Sequence, residues 1–172
     1  MELTDPTLKS ELLLSELKRH DRSNNIVDVE ERRTKVVLVT VGGNSYAFYG
    51  DEIREILPAC EISWVPGLPD FLPGLVIVRG EVESVIDIRH FLGGDQAAAQ
   101  TGLIALAVSG DFRSGILIDS VEDVVDVPQS SIKPPLSTLS GAARDLVAGE
   151  IDLGETVIPL LDIGKLAARV TL

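Results

Sequence analysis

The sequence contains few side chains of the kinds that nucleophilic catalysis or metal binding requires. His20 and His90 are the only histidines among the 172 residues, and Cys60 is the only cysteine. Zinc and other transition-metal sites are built from Cys and His at short spacings, and none of these three residues has such a neighbour. The sequence also lacks the Gly-x-Ser-x-Gly motif of many hydrolases. We therefore predict no metal site, no bound cofactor and no catalytic residue.

Carboxylates are numerous, but they are not arranged as an acid–base pair. Glu81 and Glu83 alternate with aliphatic residues, a pattern that predicts a solvated strand face. Asp87 and Asp162 each follow an aliphatic pair, and we expect them to lie at strand ends or to cap helices. The glycines at Gly42-Gly43 belong to no phosphate-binding motif. Together these patterns indicate a protein that is not an enzyme.

The composition excludes several classes of partner. Hydrophobic residues make up 45% of the chain, and 27 Asp and Glu against 15 Lys and Arg give a formal net charge of −12. The hydrophobic share is enough for a folded core. Nucleic-acid affinity comes largely from Lys and Arg, so the acidic balance predicts no nucleic-acid partner. No apolar run reaches the roughly 20 residues of a membrane helix, and we expect a cytoplasmic protein without membrane insertion.

The first 34 residues differ from the rest in their pattern of apolar and polar residues. Asp5-Pro6 is a favourable helix start, and leucines then recur at helical spacing as far as Arg19. His20 suits the C-terminal end of that helix, where a cation is stabilised. A polar linker follows. Two interpretations stay open for the helix: a short element packed on the main body, or an interaction helix for a partner.

From Val36 onward the pattern predicts strands. Val36–Val41 and Ser45–Tyr49 flank a glycine turn and form a hairpin. Prolines between Pro58 and Pro73 exclude a long helix or a central strand there. The other predicted strands are Ile53–Leu57, Leu75–Val78, Val82–Ile88, Leu103–Val108, Ser114–Val127, Leu146–Ile151 and Thr156–Leu161, with one or two helical turns over Ile163–Val170.

The strand region contains an internal repeat. Asp51–Ile56 matches Asp119–Val124, and Val85–Ile88 matches Leu160–Ile163. The two matches occur in the same order. They predict two similar small β-units, which pack together because either unit alone would expose apolar edges.

Two residues stand out against their surroundings. Arg79 is the lone cation in a long apolar and acidic stretch, at a turn with Gly80. It either pairs with a neighbouring carboxylate or anchors an interface, where Arg is enriched. Trp64, the only tryptophan, lies in the proline-rich segment, and we expect it to pack in the core.

Several motifs resemble those of the CheW family of chemotaxis coupling proteins. The stretch from Pro69 to Arg89 is similar to the family pattern of Pro-x-Phe-x-x-Gly, then Leu-Arg-Gly, then an aliphatic pair with Asp-Leu. Ile53–Ile56 resembles the family's Val-x-Glu-Ile, and Gly115–Val124 resembles its second-half strand. Some residues beside Arg79 differ from the family pattern, and these differences concern the identity of the receptor more than the fold. They are Ile77 and Ser84, where the family usually has Asn and Pro, and Glu81 and Glu83, where it often has apolar residues.

The resemblance implies a mainly β fold of two SH3-like, five-stranded β-barrel subdomains packed together, with an N-terminal helix and a short C-terminal helix. The expected division is 1–34 for the N-terminal helix and linker, and 35–172 for the CheW-like domain. Within that domain, subdomains of about 35–95 and 101–160 are expected, and the C-terminal segment completes the body.

The resemblance also implies a non-catalytic adaptor that links the cytoplasmic tips of chemoreceptors to a CheA-type histidine kinase in membrane-associated arrays. Contacts between CheW copies are a further expectation. The kinase-binding residues carried over by position are Ile53, Glu55 and Ile56, and the receptor-binding residues are Gly74, Arg79, Val121 and Val124. Two alternatives stay open: a paralogue serving a type IV pilus chemosensory system, and a small-molecule-binding sensor domain.

Overall fold

A computed structural model describes residues 30–58, 60–93, 102–136 and 141–171. The chain divides into two compact units, residues 1–32 and 33–172. The predicted N-terminal helix and the role expected for His20 lie outside the described residues. Within the described ranges, no helix combines the length and the apolar character needed to cross a membrane.

Strands account for just over half of the described residues. They are β1 (Arg33–Val41), β2 (Asn44–Tyr49), β3 (Ile53–Leu57), β4 (Gly74–Val78), β5 (Glu81–Ile86), β6 (Leu103–Ser109), β7 (Phe112–Ile118), β8 (Ser120–Pro128), β9 (Ile132–Lys133), β10 (Val147–Asp152) and β11 (Val157–Leu161). The α-helices of the described residues are α1 (Arg89–Leu92) and α2 (Ile163–Val170), and short 3-10 turns span Gly50–Glu52, Gln129–Ser131 and Gly141–Leu146. The long strand predicted over Ser114–Val127 is in fact two strands, because the chain changes sheets at Asp119.

The strands form two sheets. Sheet 1 has six strands in the order β8-β1-β2-β11-β10-β9, and sheet 2 has five in the order β3-β6-β7-β5-β4. Sheet 1 has one strand more than sheet 2, and this additional strand is the two-residue β9. This arrangement confirms the predicted mainly β class with two β-subdomains.

Each sheet combines strands from both halves of the sequence, so the sheets do not follow the expected boundaries 35–95 and 101–160. The first hairpin of each half joins the later strands of the other half: β1 and β2 join β8 to β11 in sheet 1, and β6 and β7 join β3 to β5 in sheet 2. The joins are parallel pairings, with Ala47 opposite Leu160 in sheet 1 and Gly115 opposite Val85 in sheet 2. These two pairings are equivalent in the repeat. The repeat therefore holds, but its halves exchange their first hairpins.

Strands β1 and β6 are buried on both faces. On β1, Val36 and Leu38 face a core inside sheet 1, whereas Val37 and Val39 face a core between the sheets. A strand covered on both sides is apolar along its whole length, which explains the run at the start of β1. The core between the sheets, here called the junction core, comprises Val37, Val39, Val41, Phe48, Ile86, Ile88, Ala105, Ala107, Ile116, Ile118, Leu146, Val147, Leu161, Ile163 and Leu166.

Candidate functional site

Four of the predicted site residues lie on edge strands beside the junction core. Strand β3 is an edge strand of sheet 2, and β8 is an edge strand of sheet 1. Ile53 and Ile56 on β3, and Val121 on β8, are partly buried against the junction core. Val124 pairs with Val37 of that core and stays 49% exposed. Residues predicted for the kinase and residues predicted for the receptor thus border one and the same core.

Two others meet at the β4–β5 hairpin. Arg79 and Gly80 form its two-residue turn with φ of 51° and 83°, the left-handed geometry that matches the twist of paired strands. Arg79 Nη2 donates a hydrogen bond to Glu55 Oε1 at 2.8 Å, while the Arg79 side chain remains 79% exposed. The interpretation that Arg79 pairs with a carboxylate is confirmed. This contact also joins one residue of the predicted kinase set to one of the predicted receptor set.

Exposed apolar side chains surround this hairpin. Ile77 and Val82 face each other across β4 and β5 and are 76% and 64% exposed. Trp64, which is 74% exposed, follows Ser63, whose backbone pairs with Leu75 of β4. We call Ile77 and Val82 the hairpin patch; together with Trp64 they are the most exposed large hydrophobic residues of the described chain. The expectation that Trp64 packs in the core is wrong, because its segment runs along the outer edge of β4.

The charges next to the hairpin patch are paired within the chain. Arg113 of β7 lies 2.9 Å from Glu81 and 2.6 Å from Glu83, measured from guanidinium nitrogen to carboxylate oxygen. Glu83 is buried, so its expected place on a solvated face is wrong. Glu83 lies opposite Val76 of the core inside sheet 2, and the ion pair with the Arg113 guanidinium offsets part of the cost of burying its charge. The alternation of Glu83 with Val85 on one face is the signal that would have revealed this placement.

Gly74 has a packing role in the structure. It is buried, and a Cβ atom at this position would lie 2.2 Å from the carbonyl oxygen of Ser63. Gly149, its counterpart in the repeat, would bring a Cβ within 2.6 Å of the carbonyl oxygen of Lys133. At both places a short bridging segment crosses a strand so closely that only glycine fits. Gly74 therefore offers no side chain to a partner.

Asp87 and Asp162 occupy equivalent positions and act as expected. Asp87 Oδ1 accepts from the Arg89 backbone N–H at 3.1 Å, and Asp162 Oδ1 accepts from the Lys165 backbone N–H at 3.0 Å. Asp162 is thus the N-cap of α2, and Asp87, at the end of its strand, binds the backbone of the first residue of α1. Burial acts to raise the pKa of Asp87, but hydrogen bonds and the charge of Arg89 outweigh it and hold this pKa below its ordinary value.

The described residues form no metal centre, and the cavity beside the junction core is small, whereas an open depression of about 480 Å³ is lined by Pro135, Arg144, Asp145, Val147, Lys165 and Ala168. No group of three or more His, Cys, Asp or Glu side chains in those ranges is placed to hold a metal ion. A cavity beside the junction core, lined by Phe48, Ile88, Leu146, Leu161, Asp162, Ile163 and Leu166, has a volume of about 10 Å³. Small-molecule sites span roughly 300–1,000 Å³, so this cavity is too small for such a ligand.

Comparisons with known proteins support the two-sheet fold described above and identify the family. The family model described as "CheW-like domain" matches residues 35–171. The chemotaxis protein CheW of Klebsiella aerogenes is 25% identical over 131 residues, covering 76% of this chain and 79% of that protein. Protein FrzA of Myxococcus xanthus is 29% identical over 118 residues, covering 67% and 74%.

A solved structure shows the same fold. The crystal structure of the scaffolding protein TtCheW from Thermoanaerobacter tengcongensis aligns with a TM-score of 0.68 at 22% identity, covering 77% of this chain and 86% of that one. The family model extends over most of the chain, from the start of β1 to the end of α2. This chain therefore belongs to the CheW family of chemotaxis proteins with a CheW-like domain.

Proposed function

We propose that this chain is a non-catalytic adaptor that links chemoreceptors to a CheA-type histidine kinase, and that it works at membrane-associated receptor arrays in the cytoplasm. An adaptor needs two surfaces that different partners can occupy at once. The observation that carries the proposal is that apolar side chains are exposed both on the β4–β5 hairpin, at Ile77 and Val82, and on the β8 edge, at Val124. Exposed apolar patches of this kind mark protein interaction sites.

The kinase-binding surface in this proposal is centred on the hairpin patch. Glu55, which the resemblance assigns to the kinase, is held by Arg79 in the turn of that hairpin. Ile77 and Val82 offer two branched aliphatic side chains on a rigid strand pair. Because Arg113 contacts both Glu81 and Glu83, the buried Glu83 already has a counterion within the chain and does not need one from a partner that covers the patch.

The receptor-binding surface is the border of the junction core. Val121 and Val124 approach it from β8, and Ile53 and Ile56 approach it from β3. A helical receptor tip with an apolar stripe suits such a border, since helix-in-groove recognition relies on apolar anchors. Ile53 and Ile56 thus connect the two surfaces rather than belonging to the kinase surface alone.

Two charge substitutions test this assignment. Val82→Asp should reduce binding of the kinase regulatory domain at least tenfold and leave receptor binding intact, because an unpaired charge would be buried at the contact. Val124→Asp should do the reverse. Affinities of purified protein for the kinase domain and for receptor tips, both from the source organism, measure the effect. Val157→Asp on β11 is the matched control, since Val157 is a valine that is 54% exposed on sheet 1.

The outcome for each partner decides the proposal. Unchanged kinase affinity in Val82→Asp would remove the hairpin patch from the kinase surface. Failure of the unmodified chain to bind either partner would overturn the adaptor role. Ile56→Asp is a poorer probe than Val82→Asp, because Ile56 packs on the junction core and its loss would also destabilise the fold.

A second candidate is a paralogue that serves a type IV pilus chemosensory system. The similarity to FrzA and to protein PilI of Pseudomonas aeruginosa, two relatives with names other than CheW, supports a paralogue role. Such a paralogue would use the same two surfaces with a different receptor and kinase. Co-purification from the source cell followed by identification of the bound kinase distinguishes the two.

A further inference from the structure

The open depression of about 480 Å³ lies beside α2, and we call it the α2 depression. The 3-10 turn Gly141–Leu146, the start of β10 and α2 each contribute to its lining, and Pro135 lines it from the segment after β9. Small-molecule sites span roughly 300–1,000 Å³, so the size of the depression suits a small ligand.

Buried residues hold the surroundings of the α2 depression in place. Ile163 and Leu166 anchor α2 in the junction core, and Val147 of β10 belongs to the same core. Lys165 and Ala168 lie three residues apart on α2 and are exposed. The Lys165 ammonium donates to the Val147 carbonyl at 2.9 Å, which fixes it at the start of β10. This cation therefore has a defined position although its side chain is exposed.

Positive charge predominates at the α2 depression, although the formal net charge of the chain is −12. Asp145 is the one carboxylate among the described lining residues, and Arg169 of α2 lies 3.3 Å from it. Arg144 is exposed and pairs with no carboxylate of the described residues. An ammonium carries three N–H donors, and Lys165 uses one of them on the Val147 carbonyl. Arg144 and Lys165 are thus both available to an anion.

We propose that the α2 depression is a binding site for a small organic phosphate. Arg144 and Lys165 bind the phosphate group. The apolar part of the molecule contacts Pro135, Val147 and Ala168. Two cations match a phosphate monoester, which carries about two negative charges at neutral pH, better than they match a carboxylate with a single charge. The site shares no residue with the hairpin patch or the β8 edge, so it adds to the adaptor role without replacing it.

Binding of phenyl phosphate to the unmodified full chain tests the proposal, with inorganic phosphate and benzoate as comparison probes. At about pH 7.5 phenyl phosphate is a dianion, and its ring supplies the apolar part. Titrations followed by ¹H–¹⁵N NMR should show saturable shifts at the amides of Arg144, Val147 and Lys165. Phenyl phosphate should bind about tenfold more tightly than benzoate, because its charge matches both cations. It should also bind more tightly than inorganic phosphate, which has no ring to bury.

Two variants remove the cations one at a time. Arg144→Gln and Lys165→Gln should each weaken the binding of phenyl phosphate about tenfold or more, the usual loss when a charged hydrogen-bond donor is removed. Both side chains are exposed, so the fold should stay intact. Arg54→Gln is the matched control and should leave the affinity unchanged, since Arg54 is an exposed arginine on β3 of the other sheet.

Four results would overturn the proposal. One is the absence of saturable shifts at the α2 depression. Another is binding of benzoate or inorganic phosphate as tight as that of phenyl phosphate. The third is an unchanged affinity in Arg144→Gln and Lys165→Gln. The fourth is an equal loss in Arg54→Gln, which would show unspecific attraction to surface cations. None of these depends on whether the chain binds a kinase or a receptor.

Discussion

Glycine at position 74 shows how a single residue controls the shape of sheet 2. The carbonyl of Ser63 and the backbone of β4 are so close that a methyl group cannot enter. Gly149 meets the same restriction against Lys133. By contrast, Gly80 in the hairpin turn has open space around it and needs glycine only for its positive φ of 83°. The two kinds of glycine should therefore respond differently to substitution.

Gly74→Ala is expected to destabilise the fold by about 3 kcal/mol or more, because the bridging segment must move away from β4. Gly80→Ala, the matched control, should cost only about 1 kcal/mol, the strain of a left-handed non-glycine residue. Urea unfolding of both variants measures the difference. Equal losses in the two variants would contradict the close approach at Ser63.

At the scale of elements, β5 and β7 hold a charged group inside sheet 2. Glu83 of β5 points toward the core residue Val76, and Arg113 of β7 closes over it. A buried carboxylate keeps its place only while its counterion is present. The pair therefore couples β5 to β7 beyond their short parallel ladder at Val85 and Ile86.

Arg113→Met should destabilise the protein by about 2 kcal/mol, because Glu83 is left buried without a counterion. Adding Glu83→Leu to that variant should recover most of the loss by replacing the pair with apolar packing. Thermal unfolding of the single and double variants gives the comparison. A double variant no more stable than the single one would show that the carboxylate carries no penalty.

Most strand positions were predictable from the sequence because glycine, proline or a charged turn bounds the strand, but the β7–β8 boundary at Asp119 and the short β9 were not. The pattern of β1 and β2 around Gly42 and the aspartates at 87 and 162 are local signals, and the structure agrees with them. Trp64 and Glu83 were misplaced because their burial depends on neighbours distant in sequence: β4 for Trp64, and Arg113 for Glu83. The Glu55–Arg79 contact also joins distant strands, so the sequence left two interpretations of Arg79 open.

For the whole molecule, the exchange of hairpins unites the two sheets into one cooperative body. Neither half of the repeat contains all the strands of one sheet, and the junction core includes residues of both sheets. One subdomain cannot unfold without removing strands and core contacts from the other. Residues 33–171 are therefore expected to unfold as a single unit.

Native-state hydrogen exchange tests this cooperativity. Amides of Val36–Leu38 in sheet 1 and of Ile104–Leu106 in sheet 2 should exchange with the same free energy of opening, equal to that of global unfolding. Their response to added denaturant should also be the same. A difference of more than about 2 kcal/mol between the two sets would show that the sheets unfold independently.

The reciprocal exchange has an evolutionary consequence. One half of the sequence, made as a separate polypeptide, would lack the partners of its own first hairpin, but two identical copies would supply them to each other and form a symmetric homodimer. The present chain has the architecture of such a dimer fused end to end. Within one chain the two halves need not be identical: the β4–β5 turn is the pair Arg79-Gly80, whereas its counterpart between β10 and β11 spans four residues, 153–156.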